Sequence, residues 1–111
     1  MTDAKMLVRY AECHNRGVKT GNFNELLGLF HPDAELRFEG IAFGPFMGRE
    51  EIDRAFRQHP PGDEIEIGEV AQGGSCVLTT YQWRQKPAQR AGTLAVEVKG
   101  NLIRKLVVTV L

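Results

Sequence analysis

The segment from Phe23 to Ile52 reads FNELLGLFHPDAELRFEGIAFGPFMGREEI, and it decides the fold of the chain. Its pattern predicts a helix, a short loop, a strand, a glycine-rich turn and a second helix. Asn22 stands three positions before Glu25, which is the spacing of a capping box at a helix start. Apolar residues follow at helical spacing as far as Phe30. Pro32 then ends the predicted helix, because proline lacks the backbone donor that a helix interior needs.

A strand follows the proline. Residues Ala34–Phe38 alternate apolar with charged side chains, and this period of two is typical of a strand with one buried face. The even-numbered positions are expected to point inward, and the charged residues between Glu35 and Glu39 to form a solvated row. A register slip of one residue would turn that row into the interior. After a glycine-rich connection, the next helix begins at Gly48 and ends at the sequence His59-Pro60-Pro61-Gly62.

A helix precedes this segment and strands follow it. Apolar residues from Ala4 to about Arg16 share one helical face, and the helix could also continue to Lys19 or Thr20. Beyond the segment, β-branched and aromatic residues with turn residues between them predict four successive strands. These strands are Glu64–Val70, Ser75–Arg84, Gly92–Lys99 and Leu102–Leu111. Helices segregated against such a sheet predict an α+β fold, in which the twisted sheet curls around a concave interior.

The composition limits the classes of partner. Fourteen basic residues balance fourteen acidic ones, so no net field attracts nucleic acid or an anionic membrane. The length suits one domain, expected to span residues 1–111. Cys13 and Cys76 lie far apart and without metal-ligand spacing, so both are expected to be reduced thiols. With no signal-peptide pattern and no apolar run of membrane-spanning length, we expect a cytoplasmic protein.

Two signatures carry a family resemblance. They are Leu-Phe-His-Pro-Asp-Ala at residues 29–34 and Gly-Arg-Glu-x-Ile at residues 48–52. Together with the order of helices and strands, they resemble the SnoaL-like, nuclear-transport-factor-type superfamily, which includes ketosteroid isomerases, limonene epoxide hydrolases and polyketide cyclases. The resemblance implies a cystatin-like cone of three N-terminal helices packed on a strongly curved, mixed, mostly antiparallel sheet that encloses a pocket. A fold of this kind does not by itself assign a reaction.

The catalytic carboxylates of the ketosteroid isomerases are absent. The resemblance places the family's general-base aspartate at Phe38 and its second carboxyl near Leu94, and neither of these side chains exchanges a proton. The family's tyrosine falls at Tyr10 or at His14, depending on where the first helix carries its extra turn. We therefore expect no ketosteroid isomerase activity. The inward-facing acids are also too few for the arginine and two acids of an epoxide hydrolase.

The remaining polar residues predict an acid–base site in the pocket. His14 lies on the core-facing side of the first helix and can carry a proton near neutral pH, although it could instead be a core-edge histidine bonded to a carbonyl. Tyr10 and Tyr81 would orient a carbonyl or hydroxyl, whereas a packing role for Tyr10 stays open. The predicted catalytic residues are thus His14, Tyr10 and Tyr81. The residues predicted to bind the ligand are Phe38, Phe46, Thr79, Trp83, Leu94 and Val96.

The other histidines have no spacing that suits a metal. His31 and His59 lie at predicted helix ends, where a positive charge suits the negative helix terminus, so we expect capping roles. Residues 44–48 lack the lysine of a phosphate loop. The sequence therefore predicts no metal and no cofactor.

The last two strands are apolar on both faces. The inward face is predicted to hold Leu94, Val96, Val98, Leu102, Leu106, Val108 and Val110, and the other face Ala95, Ile103 and Val107. Because the outer face is also apolar, and because the relatives often pair sheet to sheet, we expect a homodimer through that face.

Two functions therefore stay open. One is a small enzyme that performs isomerisation, cyclisation or hydration on an apolar small molecule. The other is a non-catalytic, dimeric binding or scaffold module.

Overall fold

The computed structural model describes residues 3–111 as helices packed against one curled sheet. Three helices and seven strands occur within these residues. In chain order they are α1 (Asp3–Thr20), α2 (Asn24–Leu27), β1 (Phe30–Glu39), β2 (Phe46–Met47), α3 (Arg49–Gln58), β3 (Ile65–Ile67), β4 (Ala71–Gly73), β5 (Cys76–Trp83), β6 (Gly92–Lys99) and β7 (Leu102–Val110).

The sheet is mixed and mostly antiparallel. Its strand order is β2-β1-β7-β6-β5-β3, and β4 pairs with β5 off this path. Only β1 and β7 run parallel among the strands of the described chain. The sheet curls without closing, since its end strands β2 and β3 do not pair with each other. The predicted α+β fold is confirmed.

Helix α1 buries one face against the sheet, as predicted. Its apolar residues Met6 and Leu7 are at most 1% exposed, and Tyr10, one turn later, is also buried. The helix extends to Thr20, the longer of the two expected lengths, and the Thr20 hydroxyl donates to the carbonyl of Arg16 over 2.9 Å. This face packs against β3, β5 and β6, which places α1 over the concave side of the sheet.

Helix α2 is shorter than predicted. It ends at Leu27, and the chain enters β1 at Phe30 instead of remaining helical up to Pro32. These residues pair with β7 instead of continuing the helix. The backbone amide of Ile103 donates a hydrogen bond to the carbonyl of Leu29 over 2.7 Å. The proline lies where the register between β1 and β7 is interrupted, so its missing backbone donor breaks no ladder bond there. Tertiary pairing has overridden a local helical pattern.

The start of α2 also differs from the expected capping box. The Asn22 side chain accepts a hydrogen bond from the amide of Asn24 over 2.9 Å. Glu25, however, turns toward α1, where its carboxylate pairs with Arg16 and accepts from the thiol of Cys13. Both cysteines of the chain are free thiols.

The predicted faces of β1 are confirmed. Ala34 and Leu36 are buried, while Glu35 and Arg37 lie on the opposite face and form an ion pair of 2.8 Å. The charged row therefore lies on the outer face of the sheet. Phe38 faces inward, on the same side as Ala34 and Leu36.

Strand β7 contains an irregularity that the sequence does not predict. Glu97 pairs with Lys105 and Val98 with Ile103, so Arg104 is an extra residue on β7. This bulge reverses the alternation at the start of the strand. Ile103 is fully buried, and Leu102 is only partly buried on the other side, so the predicted directions of these two residues are wrong.

Two short strands are also absent from the sequence prediction. Strands β2 and β4 contain two and three residues, too few for a visible alternation. The predicted strand Glu64–Val70 is reduced to β3, because the chain leaves the β5 ladder after Gly68 and returns as β4.

Candidate functional site

A cavity of about 310 Å³ opens between the curled sheet and the helices α1 and α3. Its size lies at the lower end of small-molecule sites, roughly 300–1,000 Å³. The side chains that line it are mostly apolar or aromatic: Tyr10, His14, Leu36, Phe38, Ile41, Phe43, Ala55, Phe56, His59, Pro61, Ile65, Tyr81, Trp83, Leu94, Val108 and Val110. Among these described residues there is no Asp, Glu, Lys or Arg. The cavity therefore suits a neutral ligand.

His14 brings an imidazole to the wall of this cavity. Its side chain is 4% exposed, and its Nδ1 lies 3.1 Å from the Oδ1 of Asn15. The ring lies 6.1 Å from that of Tyr10 and 6.5 Å from that of Trp83, measured between centroids. Burial lowers the pKa of His14 from its usual value of 6.5, and the opposing effects of Asn15 and nearby carboxylates are smaller. The imidazole is therefore neutral near pH 7.

The second ring nitrogen of His14 meets the cavity. Within the described chain, no residue provides a hydrogen-bond partner for Nε2, yet no buried side-chain nitrogen or oxygen there lacks a partner. Nε2 is therefore not fully enclosed by protein, and the cavity is the space that His14 lines. The imidazole is thus hydrogen-bonded to the protein at Nδ1, and its Nε2 has no partner within the described chain.

The two tyrosines present hydroxyl groups to the same space. Tyr10 and Tyr81 are each 5% exposed, and by the same reasoning their hydroxyls, unpartnered among residues 3–111, reach the cavity. Burial raises the pKa of both phenols, and a negative charge on Tyr81 would raise that of Tyr10 further. Both phenols are therefore neutral hydrogen-bond donors near pH 7. They lie close enough to each other that ionisation of one would disfavour ionisation of the other.

The predicted ligand-binding residues divide into two sets. Phe38, Trp83 and Leu94 line the cavity, with Trp83 edge-on to Tyr81 at 5.8 Å. Because Phe38 and Leu94 occupy the positions that the family resemblance gives to carboxylates, the wall is apolar where those isomerases are acidic.

The other three predicted ligand-binding residues lie outside the lining. Thr79 is buried, and its hydroxyl is 3.1 Å from the carbonyl of Gly68, to which it donates. Val96 is fully buried in the core, and the ring of Phe46 meets that of Phe38 edge-on, with centroids 6.5 Å apart. Inward alternation alone does not distinguish a core position from a cavity position.

The sequence prediction missed the residues at the mouth of the cavity. Ile41 and Phe43 come from the connection between β1 and β2, in which Gly40 and Gly44 have positive φ. The sequence does contain a signal for these lining residues. A connection that is fully exposed to solvent is usually polar, so apolar residues within this one indicate that they contact another part of the protein.

The two histidines expected to cap helices differ in outcome. His59 does end α3, but its ring also lines the cavity and meets Phe43 edge-on at 5.4 Å. His31 lies within β1, where its Nδ1 accepts from the amide of Asp33 over 3.0 Å, so its predicted place at a helix end is wrong.

Residues 3–111 contain neither a metal-binding cluster nor a membrane-spanning helix. No group of three or more His, Cys, Asp and Glu side chains is placed there to hold a metal ion. Nor does that part of the chain contain a helix whose length and apolar character would let it cross a membrane.

The sequence profile of the SnoaL-like domain matches residues 9–104. The chain belongs to the SnoaL-like family. No curated protein matches the sequence closely enough to add to this assignment.

Solved structures share the fold of this SnoaL-like chain. An NTF2-like protein from Anabaena variabilis superposes with a TM-score of 0.69 at 17% identity, covering 97% of this chain and 92% of its own. A protein from Sinorhizobium meliloti, provisionally named a polyketide cyclase, gives 0.65 at 19% identity, with coverages of 90% and 93%. One from Kribbella flavida, provisionally named a ketosteroid isomerase, gives 0.64 at 17% identity, with coverages of 100% and 82%. At these identities the likeness shows the fold alone.

Proposed function

We propose that this SnoaL-like protein binds a neutral, largely apolar small molecule and catalyses a proton transfer on it, of the isomerase, cyclase or hydratase type. One observation carries the proposal. Three polar groups without protein partners in the described chain, the Nε2 of His14 and the hydroxyls of Tyr10 and Tyr81, belong to residues that line the same mostly apolar cavity. A few convergent polar groups in an apolar pocket are typical of a small-molecule site.

Each of these groups has a role in the proposed reaction. The two phenols donate hydrogen bonds to a carbonyl oxygen of the ligand, and the His14 imidazole takes a proton from the adjacent carbon. The electron pair of the broken C–H bond moves to the oxygen, where the two donors stabilise the negative charge. The same proton returns to a different atom in an isomerisation.

The apolar surroundings support this division of roles. No carboxylate lines the described cavity wall, so the candidate bases there are the imidazoles of His14 and His59. Of the two, His14 is the one whose ring contacts that of Tyr10, whereas the ring of His59 contacts Phe43. The names given to the Sinorhizobium and Kribbella proteins are consistent with a cyclase or isomerase reaction. They support the reaction class, and the residues support its mechanism.

A neutral bicyclic ketone, 2-tetralone, tests the proposal without knowledge of the natural substrate. We expect the protein to accelerate exchange of the ketone's α-protons for deuterium, followed by NMR in D₂O. His14→Gln should remove most of the roughly 10²–10⁴-fold that a positioned base contributes. His31→Gln, a histidine outside the cavity, is the matched control. An unchanged exchange rate in the His14 variant would exclude the imidazole as the base.

A second function, as a dimeric binding or scaffold module, is favoured by the outer face of the sheet. Leu78, Ala95 and Val107 pair in register across β5, β6 and β7 and form an apolar row on the face opposite the cavity. Leu78 is 39% exposed. We propose that a second copy of the chain covers this row.

A further inference from the structure

Asn15 connects the proposed base to the edge of the sheet. Its Nδ2 donates to the carbonyl of Ile65 over 2.9 Å, and its Oδ1 accepts from the amide of the same residue over 2.8 Å. This pair of bonds ties α1 to β3, because Asn15 and Ile65 belong to those elements. The same Oδ1 lies 3.1 Å from the Nδ1 of His14.

The two backbone bonds determine which way round the amide lies. A backbone N–H can only donate and a backbone C=O can only accept, so the Asn15 oxygen must face the amide of Ile65 and the nitrogen its carbonyl. A flipped amide would lose both bonds. The atom beside His14 is therefore an oxygen, which has two lone pairs and donates nothing.

An oxygen in this position requires a proton on the ring nitrogen that it faces. If Nδ1 were unprotonated, two acceptors would lie 3.1 Å apart without a hydrogen between them. In the neutral imidazole only one nitrogen carries a proton, so Nε2 then holds a lone pair and points it into the cavity.

We propose that Asn15 is a positioning residue, which holds His14 in the Nδ1–H tautomer so that an unprotonated Nε2 faces the ligand. The proposal rests on the proposed function for its catalytic meaning, but the tautomer itself is a property of the free protein. It also narrows the ligand class: the bound molecule presents a hydroxyl, an N–H or an acidified C–H to Nε2, and an acceptor oxygen to the tyrosines.

Other charged and titratable groups near His14 do not replace Asn15. Asp63 and Glu64, in the segment before β3, act on the imidazole at a distance. The Asp63 carboxylate accepts from the amide of Gln85, and Glu64 pairs with Arg84 at 2.8 Å. Tyr10 on α1 and Tyr81 on β5 are neutral phenols.

Long-range ¹H–¹⁵N correlation spectra of the His14 ring test this inference directly. Above the pKa of the imidazole, the wild type should show a protonated Nδ1 and an unprotonated Nε2. Asn15→Leu should lose this preference, and it should slow the exchange of 2-tetralone more than it weakens binding of the ketone. Gln82→Ala, which removes a contact between β5 and β3 without touching His14, should behave as wild type in both measurements.

A second variant keeps the test decisive if Asn15→Leu does not fold. Asn15→Asp retains an oxygen for both His14 and the Ile65 amide, so it should keep the Nδ1–H tautomer. Its added negative charge should raise the pKa of His14 relative to wild type. A wild-type spectrum with the proton on Nε2, or a folded Asn15→Leu with unchanged tautomer, would overturn the inference. Absence of ketone exchange in wild type with the expected tautomer would instead remove the proposed function and leave the role of Asn15 in place.

Discussion

At the scale of single residues, the buried imidazole of His14 makes stability depend on pH. Its pKa in the folded protein lies below 6.5, because burial disfavours the charged form. Between the lowered folded value and 6.5, the unfolded chain binds more protons than the native one. The contribution of this residue to stability is therefore complete above the unfolded pKa and is lost as the pH falls through the folded pKa.

We accordingly expect the free energy of unfolding to fall less steeply in His14→Gln than in wild type between about pH 7 and about pH 5. Urea unfolding at several pH values measures the two slopes. Carboxylates add a common acid dependence to both proteins, so the difference between the slopes is the informative quantity. Equal slopes for wild type and His14→Gln would contradict the prediction.

At the scale of secondary-structure elements, the bulge in β7 exchanges the surroundings of two neighbouring residues. Arg104 is the additional residue, and it donates to the carbonyl of Asp33 over 3.0 Å, at the interruption between β7 and β1. The two irregularities thus lie beside each other, and they turn Ile103 into the core. A regular β7 would have placed Leu102 there instead.

This arrangement predicts unequal effects of two alanine substitutions. Ile103→Ala removes a fully buried side chain and should cost about 2–5 kcal/mol of unfolding free energy. Leu102→Ala removes a partly buried one and should cost less, roughly 1 kcal/mol. Chemical denaturation of both variants measures the difference. A larger loss of unfolding free energy for Leu102→Ala than for Ile103→Ala would contradict a bulge at Arg104.

At the scale of the whole molecule, the outer face of the sheet has an apolar row with a regular pattern. The row of Leu78, Ala95 and Val107 ends at Arg37 on β1, and a row with Glu97, Lys105 and Glu35 runs beside it. Alternating charges next to an apolar row can complement a second copy rotated by a two-fold axis. This is the physical basis of the proposed homodimer.

Light scattering coupled to size exclusion tests the dimer. The wild type should have about twice the chain mass of 12.4 kDa. Leu78→Lys should reduce the mass to that of one chain, because it would bury a charge in the interface. Val8→Lys replaces a residue of similar exposure, 47%, on α1 and should leave the mass unchanged. A wild-type mass near that of one chain would exclude the dimer.

Much of this molecule follows from local sequence patterns. The alternation in β1 predicts correctly that Leu36 faces inward and Glu35 outward, and the helical spacing of α1 predicts the burial of Tyr10 and His14. Glycine and proline mark where α3 begins and ends. These predictions hold because a side chain's direction along a helix or strand depends on the period of that element alone.

Tertiary structure alone decided what surrounds the cavity and where regular alternation fails. Phe30 leaves a helical pattern because β7 offers it a strand partner, and Ile103 turns inward because of a bulge that no local pattern marks. The contact between Phe43 and His59 joins two segments that are distant in sequence. The bond between Asn15 and His14 depends on an amide group whose orientation is fixed by Ile65 on β3. Local periodicity carries no information about such contacts, because it reports the direction of a side chain and not the partner that it meets.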